Sequence, residues 1–290
     1  MKTAIIVDST AGLPKELLNH PDIYQVDLNI HFNDGFSMTD TIDVKENSIF
    51  YQKLTTSTVL PTTSQPLVGD YYTLVENLIK DGYDGILAIH LSSAISGTYN
   101  SAVMVLEEYQ AQIQSFVVDS RSASIGMLNM VQEALRLKNK NYPLETIYAE
   151  VEQLVLHTEI RFMVQDLNNL SKGGRLSSAE ALIGNMLKIK PVITFDAMGK
   201  LVVHDKIRTS KKVYQSFIEW IERNIQLNRD FDIQIAHANA FEDAEKLAEL
   251  IRQTYGDQFT CQISILTPVL GTHTGQGLVG LGILPKATMK

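Results

Sequence analysis

Residues 85–98 have the sequence GILAIHLSSAISGT, in which a short apolar run leads into a loop of small, hydroxyl-bearing residues. Such a run, bounded by turn-forming residues, is typical of a buried parallel strand. Residues 98–109, which follow the loop, have the apolar spacing of an amphipathic helix. The segment therefore predicts a strand, a loop and a helix in succession, the repeating unit of an α/β fold.

The same alternation continues on both sides of this unit. Strands are predicted at Thr3–Val7 and Ser115–Val118, and helices at Leu67–Lys80, at Ser124–Lys138 and from Pro143 onward. Buried strands that alternate with amphipathic helices favour a parallel sheet. We predict a mostly parallel α/β domain over residues 1–158.

The second half of the chain has a different pattern. Lys190–Phe195 and Lys200–His204 flank the turn Asp196–Gly199, which predicts a β-hairpin and hence a mixed sheet. Further helices and strands follow as far as residue 284. At 290 residues the chain is longer than one average domain. We expect a second, mixed α/β domain over residues 159–290, packed against the first.

Composition argues against several classes of protein. The net charge is −8 and no cluster of Lys and Arg is present, which disfavours nucleic acid and anionic membrane surfaces as partners. No apolar run reaches the ~18 residues of a spanning helix, and the start of the chain lacks a signal-peptide pattern. We expect a cytoplasmic protein without stable membrane insertion, and transient membrane contact is left open. The single Cys261 excludes an internal disulfide, and no spacing of His, Asp or Glu predicts a metal site or a cofactor.

Three segments combine Ser, Thr and Gly: residues 62–66 (TTSQP), 92–98 (SSAISGT) and 271–275 (GTHTG). Neutral hydroxyls and accessible backbone amides can hold an anionic head group without a strong base. Thr63 and Ser64 precede a predicted helix, so N-capping is an equally good interpretation of them. Helix capping would explain one hydroxyl beside Ser96 and Gly97, but hardly the four in that loop, which lies at the carboxyl end of a strand.

Other candidates carry charge or an apolar surface. Gly271 and Gly275 allow a tight turn that would present His273 and Thr274 to an anion, although a lone His is as often structural. Arg208 could reach His273 or a carboxylate. Arg175 lies in a basic turn that precedes a predicted helix, whose apolar residues are Leu182, Ile183, Met186 and Leu187.

Enzymatic motifs are absent from the sequence. It has no Walker loop, no dinucleotide fingerprint and no Gly-x-Ser-x-Gly elbow. The rival interpretation is a phosphotransfer or hydrolytic enzyme in which Ser96, His273 and an Asp act together. A Ser–His pair within hydrogen-bond reach in an open cleft would favour the enzyme, whereas a narrow apolar cavity would favour a carrier.

Taken in order, several motifs resemble the DegV family, the fatty-acid-binding (FakB) components of bacterial fatty-acid kinase. They are Asp8-Ser9-Thr10, Thr63-Ser64-Gln65-Pro66, Ser93 to Tyr99, Val118-Asp119-Ser120, Gly173-Gly174-Arg175 with Lys190 to Ile193, and His273-Thr274-Gly275. The likeness covers nearly the whole chain.

The resemblance implies two α/β domains and a long-chain fatty acid (C14–C18) held in an internal tunnel, with no other cofactor and no catalytic residue. Its carboxylate would be bound by Thr63 and Ser96 with nearby amides at Ser64 and Gly97, supported by His273, Thr274 and Arg208. The tail would run along Ile183, Met186 and Leu187. A separate kinase subunit (FakA) would phosphorylate the bound acid, docking at Arg175. A lipid-sensing regulatory module is a further alternative, because the sequence does not separate sensing from delivery.

Overall fold

The computed structural model describes residues 2–165, 167–176, 189–227 and 229–289. Its strands are β1 (Thr3–Asp8), β2 (Ile23–Val26), β3 (Asn29–His31), β4 (Ser37–Thr39), β5 (Thr62–Ser64), β6 (Gly85–His90), β7 (Gln114–Asp119), β8 (Glu159–Met163), β9 (Lys190–Phe195), β10 (Leu201–Ile207), β11 (Phe231–His237), β12 (Gln262–Ile265) and β13 (Val279–Pro285). Its α-helices are α1 (Lys15–Leu18), α2 (Val44–Thr56), α3 (Val68–Lys80), α4 (Thr98–Glu108), α5 (Ile125–Asn139), α6 (Leu144–His157), α7 (Asn168–Lys172), α8 (Ser210–Gln226), α9 (Phe241–Tyr255) and α10 (Pro268–Thr274).

The first sheet is parallel and has the strand order β2-β1-β6-β7. Because side chains alternate along a strand, residues of β1 belong to two different hydrophobic cores. Ile5 and Val7 pack in the core that includes residues of α5 and α6, whereas Ala4 and Ile6 pack in the core with residues of α3 and α4. The sheet is thus buried on both faces, which accounts for its continuous apolar strands.

The second sheet is mixed, with the order β10-β9-β8-β13-β11-β12. The predicted hairpin is present as the antiparallel pair β9–β10, and β11 pairs in parallel with β12 but antiparallel with β13. Helices α8 and α9 cover one face of this sheet. The prediction of an α/β fold with one mostly parallel and one mixed sheet is confirmed.

Residues 23–64 contain elements that the sequence analysis did not predict. They form β2, α2 and a small antiparallel sheet of order β4-β3-β5. Ile30 of β3 and Phe50 of α2 share a core with Phe162 of β8 and Val269 of α10. This layer covers the second face of the mixed sheet, and the proposed division at residues 158 and 159 stays a prediction.

Candidate functional site

A cavity of about 370 Å³ lies between the mixed sheet, α10, β5 and the loop before α4. Its volume falls within the range of small-molecule pockets, roughly 300–1,000 Å³. Its wall is mainly apolar, and apart from the polar groups described below it consists of Leu28, Leu91, Ile95, Ala123, Ile125, Ile160, Phe162, Leu170, Phe195, Leu201, Ala236, Leu266, Val269, Leu270, Leu278 and Gly280.

Polar residues from all three hydroxyl-rich segments line the same cavity. They are Thr63, Ser64, Gln65, Ser96, Gly97, His273 and Thr274, and Arg175 joins them. The sequence analysis proposed all of these as ligand-binding residues except Gln65 and Arg175, and it assigned Arg175 to partner docking. The structure therefore brings together groups that are as much as 211 positions apart, from Thr63 to Thr274.

Thr63 and Ser64 are adjacent in β5, and because side chains alternate along a strand, their hydroxyls have different partners. Thr63 Oγ1 lies 2.9 Å from His273 Nε2, whereas Ser64 Oγ lies 3.0 Å from Nε2 of the exposed His31. Neither residue caps a helix, because α3 begins only at Val68 and has no side-chain cap. The N-capping interpretation of these hydroxyls is thus wrong.

The loop before α4 uses its hydroxyls in different ways. Ser92 Oγ donates to the carbonyl of Gly199 in the β9–β10 turn, and Ser93 Oγ donates to Asp119. Ser96 Oγ lies 2.9 Å from Thr98 Oγ1, and of the three serines only Ser96 lines the cavity. The sequence argument that four hydroxyls exceed structural needs was therefore too strong, since two of them hold the loop in place.

His273 lies in the last turn of α10, which ends at Gly275 with a φ of 74°. The expected tight turn around the imidazole is thus wrong, and the glycines serve the helix instead. A Cβ on Gly271 would lie 2.5 Å from the Tyr51 hydroxyl, so glycine there lets α10 pack closely on α2. Gly275, with a positive φ and a ψ of 169°, adopts a conformation that favours glycine and ends the helix.

The imidazole of His273 is held in its neutral form. Burial, together with the nearby positive charge of Arg175, lowers the pKa of His273 to about 4. Its Nδ1 is buried without a hydrogen-bond partner in the described part of the chain, and a Cβ on Gly173 would lie 2.6 Å from it. Since Nε2 is the paired nitrogen, an Nε2 proton donated to Thr63 would leave the threonine hydroxyl free to donate into the cavity.

Arg175 supplies the positive charge at this end of the cavity. Its guanidinium donates to the carbonyls of Ile95 and Gly173, at 3.3 and 2.6 Å, and the residue is half-buried. These bonds fix the guanidinium beside the polar groups, where its charge would favour an anion. The docking role assigned to Arg175 stays a prediction.

Arg208 is not brought to the cavity. It is exposed, directly after β10, and does not line the cavity in the part of the chain that the structure describes. Ile183, Met186 and Leu187 lie outside the described residues.

Ser124 is a cavity residue that sequence reasoning missed. It precedes α5 with a φ of 52° and a ψ of −126°, a conformation that is strained for a residue other than glycine. Its amide donates to the Thr10 carbonyl, which holds the strained residue at the end of β1. A lone serine before a helix reads as an ordinary cap, so no sequence signal marked it. The apolar wall was missed for a related reason, since it comes from many elements that meet only in the fold.

The arrangement does not contain the Ser96–His273 pair that the rival enzyme requires. Ser96 pairs instead with Thr98, and His273 pairs with Thr63. Among the described residues, no three His, Cys, Asp or Glu side chains could hold a metal ion. No helix within the described ranges is long and apolar enough to cross a membrane. The geometry fits an amphipathic ligand with one anionic end.

Comparison with known proteins agrees with this geometry. The family model named DegV, described as an uncharacterised protein family, matches residues 2–286. A DegV domain-containing protein of Halalkalibacterium halodurans is 35% identical over 280 residues, which is 97% of each chain. The crystal structure of a fatty-acid-binding DegV family protein from Streptococcus agalactiae superposes with a TM-score of 0.90 at 33% identity, covering 99% of both chains. That of DegV from Bacillus subtilis, described as a fatty-acid-binding protein, gives a TM-score of 0.87 at 34% identity, covering 99% of this chain and 100% of the other.

Proposed function

The chain belongs to the DegV family, and on that basis we propose that it binds a long-chain fatty acid in the cavity, with the carboxylate at the polar end. One observation carries this proposal: a mainly apolar cavity has its hydroxyls, its neutral imidazole and its guanidinium gathered together. The fatty-acid-binding relatives from Streptococcus agalactiae and Bacillus subtilis, which share the fold along the whole chain, support it.

The tail supplies most of the affinity. A chain of about sixteen carbons gains up to ~0.8 kcal/mol per buried methylene, roughly 12 kcal/mol in total. Association and ordering oppose this by at least ~4 kcal/mol. The remaining binding free energy is enough for tight binding even if the head group adds no net free energy.

The head group is held by groups that offset its loss of water. Thr63 and Ser96 donate to the carboxylate, and His273 orients the Thr63 hydroxyl from behind through its 2.9 Å hydrogen bond. Arg175 balances the charge from the cavity wall. A carboxylate buried without these partners would be strongly disfavoured.

The protein acts as a carrier rather than an enzyme. His273 has a pKa of about 4, and Ser96 pairs with Thr98 rather than with His273, so the Ser96–His273 pair of the rival enzyme supplies no general base. We infer that it presents the carboxylate to a separate kinase subunit for acyl-phosphate formation. Gln65 is exposed at the polar end and is the side chain that such a partner would displace.

The first test identifies the ligand directly. Protein purified from a bacterial host is denatured, and the released small molecules are measured by mass spectrometry. We expect C14–C18 fatty acids in about one equivalent per chain. Their absence, together with measurable esterase turnover, would overturn the proposal.

A paired substitution tests the head-group site. We expect Ser96→Ala to weaken fatty-acid affinity about tenfold, the effect of losing one hydrogen bond to a charged group. Ser93→Ala is the matched control, because Ser93 lies in the same loop but bonds to Asp119 outside the cavity. Equal affinities of the two variants would remove Ser96 from the site.

A further inference from the structure

A second groove, of about 940 Å³, lies apart from the fatty-acid cavity, between α2 and the N-terminus of α9. Its walls include Val44 and Ile263, and the exposed Phe241 stands at its rim. It shares no lining residue with the fatty-acid cavity among the residues that the structure describes. Nothing in the proposed function uses it.

His237 gives this groove a built-in polar group. The residue lies at the end of β11, is only 7% exposed, and lines the groove. Its Nδ1 accepts a hydrogen bond from the Ala240 amide at 3.2 Å, so the ring proton of the neutral form is on Nε2. Nε2 has no partner within the described part of the chain, and it therefore offers one unused donor to the groove.

The charges around His237 determine which kind of acceptor suits the Nε2–H donor. Burial lowers the pKa of His237, so the imidazole is uncharged at neutral pH. Glu242 and Asp243 lie in the first turn of α9 and line the same groove, and only Asp243 is paired, with Lys246. Two carboxylates line the groove and no Lys or Arg is among its described lining residues, which disfavours an anion. The complementary group is an uncharged acceptor such as a carbonyl oxygen.

The aromatic rim adds shape selectivity. The Phe241 ring is 56% exposed, and its centroid lies 5.7 Å from that of the His237 imidazole at an interplanar angle of 72°. A flat ring packed on Phe241 would bury that exposed surface and bring an attached carbonyl towards Nε2. The first-turn amides of α9 add further donors, because no side chain caps this helix.

We propose that this groove binds an uncharged aromatic carbonyl compound, whose oxygen accepts a hydrogen bond from His237 Nε2 while its ring packs on Phe241. The site is independent of the fatty-acid cavity. A ligand bound here would contact α2 and α9 and leave the lipid in place.

The test uses the full chain with its bound lipid and benzamide as the probe. Imidazole ¹⁵N resonances are followed during the titration, with that of His237 assigned from its loss in His237→Asn. We expect a saturable shift of the His237 resonance with a Kd of roughly 1 mM, as suits so small a ligand. Benzoate, which has the same shape and a negative charge, should bind at least tenfold more weakly.

Phe241→Ala keeps the test decisive if the buried His237 variant fails to fold. We expect this variant to bind benzamide at least tenfold more weakly, while Leu156→Ala, which truncates an equally exposed side chain on α6, binds as the wild type does. Bound fatty acid should be unchanged in both. No saturable shift below about 20 mM, equal binding by Phe241→Ala, or tighter binding of benzoate would each overturn the proposal.

Discussion

The hydrogen bond between Thr63 and His273 joins β5 to α10 at the polar end of the cavity. It depends on a neutral imidazole, since a protonated ring would carry a second N–H at Nδ1, where the ring meets Gly173 and no acceptor lies within the described residues. Arg175 adds repulsion from the other side. The residue that orients the head-group hydroxyl is therefore also sensitive to acid.

We predict that acidification from pH 6.5 to 4 destabilises the protein partly through His273. An unfolded histidine takes up its proton near pH 6.5, but folded His273 does so only near pH 4. Between these values the unfolded state binds more protons, so stability is full above pH 6.5 and falls as the pH drops, by at most about 3 kcal/mol. Urea unfolding at a series of pH values across this range measures the loss of stability.

His273→Gln removes the titrating group while keeping an amide near the Nε2 position. We expect its free energy of unfolding to fall less on acidification than that of the wild type. His157→Gln, which replaces an exposed imidazole at the end of α6, is the matched control and should follow the wild type. Parallel pH profiles for His273→Gln and the wild type would show that the imidazole does not titrate as described.

Residue types predicted which segments form the polar end of the cavity, but not which residue in each segment lines it. Hydroxyls beside small residues drew attention to Thr63 and Ser96, and both line the cavity. Residue types alone did not distinguish Ser96 from Ser92, because that difference depends on the Gly199 carbonyl, 107 positions from Ser92, and only the family resemblance singled out Ser96. Arg208 was placed near the site by resemblance, and its position after β10 leaves it exposed.

Among the elements, α10 shows how a short helix is held in place. Its N-cap residue, Thr267, provides no side-chain cap, and the carboxylate of Asp40 instead accepts from the Val269 amide at 2.8 Å. The other Asp40 oxygen accepts from Ser9 Oγ at 2.9 Å. Burial raises the pKa of Asp40 to about 7 in spite of these donors. A carboxyl group in so unfavourable a place indicates that capping α10 matters.

We predict that Asp40→Ala loosens α10. The substitution leaves the Val269 amide and the Ser9 hydroxyl unpaired, and relief of the buried carboxyl offsets only part of the loss, so the protein should be destabilised by about 2 kcal/mol. Amide hydrogen exchange in α10 should accelerate, and fatty-acid affinity should fall because His273 and Thr274 lie on this helix.

Asp43→Ala serves as the control for Asp40→Ala. Asp43 caps α2 by accepting from the amides of Lys45 and Glu46, so its loss should cost about 1 kcal/mol without affecting exchange in α10. Unchanged exchange in α10 of Asp40→Ala would contradict the capping role.

Most long elements were predictable from the sequence, although α2 was not, and the shortest strands were also missed. The helix Val68–Lys80 was predicted as Leu67–Lys80, because its buried positions recur at the interval of a helix. The strand Gly85–His90 was recognised instead from its continuous apolar run. Strands β3, β4 and β5 span only three residues each, too few to show a period. Helix α10, with two glycines at or beside its last turns, looked like a loop, and its helical form depends on contacts with Asp40 and Tyr51.

In the whole molecule, two groups of hydrogen bonds, in addition to those at the site, join the first half of the chain to the second. The β9–β10 turn bonds to the first half through Ser92 and Arg121. The segment after β13 runs back over α5 and α6, where the Ala287 amide donates to Glu133 and the Thr288 amide to Glu150. Ala287 and Met289 also pack against the core that contains α5 and α6. Since residues of both halves line the cavity, we expect their relative position to affect access to it.

We predict that Glu150→Ala speeds release of the fatty acid. This carboxylate accepts from the amide and hydroxyl of Thr288, so its loss loosens the returning segment and weakens this attachment. We expect release of a fluorescent fatty acid to acceptor vesicles, followed by stopped flow, to be about threefold to tenfold faster, since opening of one attachment costs about 1 kcal/mol less. Glu145→Ala, on the same helix but bonded to Gln114 within the first half, should release at the wild-type rate. Faster amide exchange at Thr288 without faster release would separate the attachment from ligand access and contradict the argument.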